Sequence, residues 1–137
     1  MIRNTSFGVT ILLLMLTTDN GSNTNFISKK CIPCEGGVSP MKDEEIEKYL
    51  PIVPNWILEE GKLVRRFKFK NFKEAIAFVN KVADLAEEEQ HHPNISIYGW
   101  NNVKLTCFTH KIKGLHLNDF ILAAKVNELI TFSQNKG

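Results

Sequence analysis

The chain of 137 residues is 43% hydrophobic and 23% charged, the composition of an ordinary globular protein, and at this length one domain can bury a core without metal or disulfide staples. Its formal net charge of +2 belongs to the first thirty residues, where Arg3, Lys29 and Lys30 outweigh Asp19; from Cys31 onward fourteen basic residues balance fourteen acidic ones. A neutral body lacks the clustered Lys and Arg on which nucleic-acid binding rests, and no run reaches the ~20 apolar residues of a membrane-spanning helix.

Residues 1–30 read as an N-terminal extension ahead of a domain spanning 31–137. Arg3 precedes the apolar run Phe7 to Leu16, and a polar tract follows from Thr17 to Asn25. That order resembles the first two regions of a signal peptide, without a small-x-small cleavage site after the apolar run. Export, organelle import and a misassigned start codon stay open at this point. Cysteine usage favours a reducing, cytoplasmic setting, because three cysteines make no complete disulfide framework and Cys107 lies in an apolar, strand-like run. Cys31 and Cys34 form a C-x-x-C. Pro33 inside it and Glu35-Gly36-Gly37 after it describe irregular chain rather than the helix start of a redox motif. A zinc site would need a second ligand pair, so a small zinc protein using Cys31, Cys34 and two histidines is the weaker alternative to an accessory segment.

Within the domain, Met41 to Leu50 predicts a short helix with Asp43 as N-cap, apolar residues at 46, 49 and 50, and Pro51 as its stop. Trp56 to Val64 predicts a hairpin turning at Glu60-Gly61. Its second strand sends Leu63, Phe67 and Phe69 to one face, and Val64, Arg66, Lys68 and Lys70 to a solvated face. From Asn71 to about Gln90 the period becomes helical, with Phe72, Ala75, Ile76, Val79, Val82, Ala83 and Ala86 on one stripe and Asn71 as N-cap. Pro93 bars continuation. A second hairpin joins Ile95–Tyr98 to Val103–His110 through a turn around Gly99 to Asn102, and Leu117 to Phe132 forms a second long helix. This α-β-β-α-β-β-α order implies an α+β fold, one four-stranded antiparallel sheet with helices packed on a single face.

Three of the four histidines, His91, His92 and His110, bracket the second hairpin. Antiparallel pairing brings the start of one strand beside the end of the next, so the three imidazoles are expected at one rim of the sheet. Imidazole titrates near pH 6.5 and can give and take protons near neutrality, which suits acid-base catalysis. Metal is the competing use of such a cluster. Glu87 stands one helical turn before His91 and would share its face if the helix persists, but the adjacent His91 and His92 diverge and rarely ligate one ion, so no metal is expected.

The string Glu87-Glu-Glu-Gln-His-His-Pro93, the aromatic Trp100, Thr109-His110, and Gly114-Leu115 leading to Asp119 resembles the pterin-4a-carbinolamine dehydratase family, in its bacterial and plant-type branch, over residues 31–132. The resemblance implies dehydration of a 4a-hydroxytetrahydropterin to the quinonoid dihydropterin, supporting pterin recycling, with no metal or organic cofactor. It also implies that His91 and His110 transfer protons while His92 binds the pterin and assists. Glu87 and Asp119 would orient imidazoles, and Trp100 would line the ring slot. Two positions depart from the pattern: Gln90 stands where some members carry Asp, and Ile95 where many animal members carry Trp. Animal members also serve as dimerisation cofactors of a homeodomain transcription factor, a binding-module alternative that nothing in this sequence selects. Self-association as a dimer or tetramer is expected, both from the resemblance and from the wide apolar arc of the last helix, which runs through Leu117, Phe120, Ile121, Leu122, Ala124, Val126, Leu129 and Ile130.

Overall fold

Helical and strand periods alternate along the chain, and the computed structural model, which describes residues 26–32 and 38–135, turns each into its element. Helix α1 spans Asp43–Tyr49, strands β1 and β2 span Ile57–Glu59 and Lys62–Lys68, and helix α2 spans Phe72–Glu89. Strands β3 (Asn94–Tyr98) and β4 (Asn102–Cys107) follow, then helix α3 (Leu117–Asn135). Short 3-10 turns occupy Leu50–Ile52 and His110–Ile112. Residues 1–25 and Cys34 lie outside the described residues, so the readings of the leader-like run and of the complete C-x-x-C find no counterpart here. No helix among the described residues is long and apolar enough to cross a membrane.

The sheet is wholly antiparallel, in the order β1-β2-β4-β3. Glu60 and Gly61 both take positive φ, 50° and 76°, and join β1 to β2 through the two-residue turn whose twist matches the flanking strands. The register pairs Leu63 with Cys107, Arg65 with Leu105 and Phe67 with Val103, so these residues share the face that meets the helices. Leu63, Phe67, Val103, Leu105 and Cys107 are buried there with Phe78 and Val82 of α2 and Leu122 and Val126 of α3. Aromatic packing between β2 and α2 continues the layer, with the Phe67 and Phe78 rings 4.7 Å apart.

Several boundaries move from expectation for local reasons. Lys42, not Asp43, occupies the N-cap of α1; its backbone N–H is met by the Glu45 carboxylate at 3.3 Å, leaving Asp43 in the first helical turn. Pro51 does not end the chain's helical run but sits in the following 3-10 turn, where its missing N–H has no role. Asn71 caps α2 as expected, accepting from the Glu74 N–H at 2.8 Å. Phe72 is left largely exposed despite its place on the stripe. Val64 is buried although its face is the polar one, flanked across the strands by Ile57 and Thr106. The expected strand 103–110 ends at Cys107.

The wide apolar arc of α3 finds its second burial partner inside the same chain. Residues 120 to 124 are buried consecutively, more than one helix face can place against a sheet. On the far side of α3 the Phe26 ring packs 5.3 Å from Tyr49 and 6.5 Å from Phe120, and Tyr49 lies 5.7 Å from Phe120. Phe26, five residues before the expected domain start at Cys31, is a core residue together with Cys31.

Candidate active site

The carboxylate of Asp119 ties His91 to the start of α3. Asp119 is fully buried in the first turn of α3, where the helix dipole favours an anion. Its Oδ1 lies 2.7 Å from His91 Nε2, and its Oδ2 accepts from the Thr109 hydroxyl at 2.8 Å and from the His116 N–H at 3.0 Å. His116 completes the helix start by accepting the Asn118 N–H on its Nδ1 at 3.0 Å. The fourth histidine is therefore a helix cap that aims Asp119, a role absent from the sequence-based expectations. The spacing of three residues between His116 and Asp119, that of a cap and its reciprocal partner, is the signal that could have found it.

His91 reaches this carboxylate because α2 stops just before it. Gln90 adopts the left-handed conformation, φ 55°, and its N–H closes the last helical turn onto the Ala86 and Glu87 carbonyls. Pro93 makes a helical continuation unfavourable, and a left-handed residue is the usual way to finish the turn. The expectation that Glu87 shares a helix face with His91 fails for this reason. Glu87 instead pairs with His92, at 2.6 Å from its Nε2, on the exposed surface. The two adjacent imidazoles thus turn to different carboxylates, one buried and one in solvent.

His110 does not close strand β4; it opens the 3-10 turn that follows Thr109. Thr109, just before it, meets His91 through the shared Asp119 carboxylate. His110 is exposed, with its ring edge-on to Phe108 at 5.2 Å. A bridge between Thr109 and Gly114 closes the loop that carries it. A Cβ at Gly114 would lie 2.4 Å from Pro40 Cβ, so glycine lets this loop rest against the segment before α1.

Trp100 is not brought to this rim. It occupies the β3–β4 turn with φ 60° and is 61% exposed, so the length of β3, about 17 Å at ~3.3 Å per residue, separates it from the histidines. Among the described residues no group of three or more His, Cys, Asp or Glu side chains is arranged to hold a metal ion.

A second polar cluster with no trace in the sequence pattern joins the end of α2 to α3. Glu89 is buried, accepts the Cys31 N–H on Oε1 at 2.9 Å and pairs through Oε2 with Lys125 Nζ at 2.6 Å. Burial pushes its carboxyl up, but the Cys31 N–H and the Lys125 ammonium outweigh that and hold it below the usual carboxylate range. Glu89 sits in an acidic run that reads as solvated surface, which is why its burial was not legible.

A four-stranded antiparallel sheet backed by helices, with one buried aspartate holding a histidine at its rim, defines an α+β protein. Residues 39–129 match the family model described as pterin 4 alpha carbinolamine dehydratase, and the chain belongs to that family. It is 51% identical over 102 residues to a protein of Rubrobacter xylanophilus carrying the name pterin-4-alpha-carbinolamine dehydratase, covering 74% of this chain and 94% of that one. A Methylococcus capsulatus protein with the same name is 53% identical over 104 residues, covering 74% and 90%. The crystal structure of a transcriptional coactivator/pterin dehydratase from Brucella melitensis superposes with a TM-score of 0.62 at 29% identity, covering 66% of this chain and 98% of that one.

Proposed function

We propose that this protein dehydrates a 4a-hydroxytetrahydropterin to the quinonoid dihydropterin by histidine acid-base catalysis. The reaction breaks the C4a–OH bond, releases water, and transfers the proton of the neighbouring ring nitrogen to a base as a C=N bond forms. One acid and one base, each within hydrogen-bond reach, are all it requires. The observation that carries the reading is the buried Asp119 carboxylate, shared between His91 Nε2 and the Thr109 hydroxyl. With Nε2–H donated to Asp119, the lone pair of His91 lies on Nδ1, and this is the base. His110, one residue beyond Thr109, protonates the departing hydroxyl. His92, oriented by Glu87, binds the pterin at the exposed lip. Trp100 has no part in this arrangement within one chain. Under the same reading the protein works as a self-associated species.

The test is turnover of a 4a-hydroxypterin by the full chain and by His91→Ala and His110→Ala. Each variant is expected to fold and to lose about two to four orders of magnitude in kcat, the scale of a lost general acid or base. Wild-type turnover in both folded variants would overturn the assignment.

A further inference from the structure

The segment carrying Cys31 is fastened to the neighbours of the two residues that meet at the rim. Asn118, fully buried and directly before Asp119, accepts the Ile32 N–H on Oδ1 at 3.0 Å and donates from Nδ2 to the Ile32 carbonyl. Glu89, two residues before His91, accepts the Cys31 N–H, and Lys30 Nζ reaches the Glu88 carbonyl at 2.9 Å. The Cys31 thiol points to the Asn118 carbonyl at 3.5 Å. One short stretch of backbone thereby spans the last turn of α2 and the first turn of α3.

We propose that residues 30–32 are a positioning strap that holds His91 and Asp119 in register through Glu89 and Asn118. This rests on the reading of His91 and Asp119 as the reacting site. Between Glu89 and His91 stands only Gln90, in its left-handed conformation, and Asn118 and Asp119 are consecutive in one helical turn, so movement of either anchor is passed on with little slack. The His91 to Asp119 distance of 2.7 Å tolerates little displacement. A misplacement of about 1 Å from outside the chemistry can cost on the order of a hundredfold in rate. Burial of both anchors removes the water that could substitute for a lost strap bond. Within the C-x-x-C, Cys31 acts as a packed backbone donor, and its thiol is spent on a carbonyl.

Ile32→Pro in the full chain deletes the N–H given to Asn118, and because the Ile32 side chain is 62% exposed the substitution takes nothing from the core. Its reference is Ile32→Ala, which keeps the N–H. The expected result is a kcat about 10- to 100-fold lower in Ile32→Pro than in Ile32→Ala, with KM for the pterin little changed. The His91 ring nitrogen resonances should shift in the Pro variant while those of His92 and His110 hold. Asn118→Ala should act in the same direction, and it decides the matter if Ile32→Pro does not fold. Equal kcat and unmoved His91 resonances in the folded variants would overturn the strap. A fully active His91→Ala would instead remove the site reading, while the ring resonances would still report whether the strap holds His91.

Discussion

Burial pushes the Cys31 thiol up to about 12, helped by the Glu89 carboxylate beside it, and burial likewise raises the Cys107 thiol, with Asp119 adding to it. Both thiols therefore stay protonated at any physiological pH, and the thiolate is the species that attacks, ligates and oxidises. Peptide mapping after iodoacetamide treatment at pH 8 is expected to find Cys31 and Cys107 unlabelled in the native protein and labelled after denaturation. Rapid native labelling at Cys31 would contradict its burial and its hydrogen bond to Asn118. At this scale the sequence is unevenly legible. The histidines were legible because imidazoles crowded at the ends of one hairpin are chemically unusual. Asp119 came only by resemblance, and Thr109, His116, Asn118 and Glu89 were missed because a polar side chain in a helix start or an acidic run looks like surface until the tertiary contact is known. Which imidazole Glu87 meets depends on the left-handed residue at Gln90, which ends α2 and leaves Glu87 to His92 rather than on a shared helix face with His91.

Among the elements, α2 and α3 are joined near the rim by the Glu89–Lys125 pair, whose side chains are only 4% and 16% exposed. The Glu89 carboxyl lies below its ordinary value of about 4.3 when folded, so the unfolded chain binds its proton more readily. The stabilisation it gives is complete above that ordinary value and fades as the pH falls through the lower, folded one. Urea unfolding should find Glu89→Gln less stable than the wild type at pH 7 by about 1–3 kcal/mol, the cost of an impaired hydrogen bond to a buried charge. The gap should close as the pH is taken below about 4. A gap that does not narrow anywhere in the acid range would mean the pair contributes nothing through its charge. The elements themselves were the legible part, because a change of hydrophobic period from two to 3.6 survives any tertiary context. Their ends were less so. Strand β4 stops at Cys107 rather than at His110 because Thr109 leaves the β3 ladder to bridge Gly114, a contact with no periodic trace.

For the whole molecule, the apolar arc of α3 no longer argues for association, since Phe26, Tyr49 and the sheet cover most of it from within the chain. The open edge of the sheet argues for it instead. Strand β1 is an edge of three residues, whereas β3 is an edge of five, Asn-Ile-Ser-Ile-Tyr, with Ile95 and Tyr98 37% and 43% exposed. Proteins blunt such edges with lysine, proline or a bulge, and β3 contains neither of those residues and pairs with β4 in unbroken register. A second copy running antiparallel across a two-fold axis would satisfy the free backbone groups of both strands at once, the closed solution most soluble homo-oligomers use. Sedimentation of the full chain at micromolar concentration is expected to give at least a dimer mass. Ile95→Lys and Tyr98→Lys place charge on that edge without entering the core, and both should shift the mass toward the monomer. A monomer mass for the wild type at every concentration would refute self-association. A dimer indifferent to both lysines would place the interface away from β3.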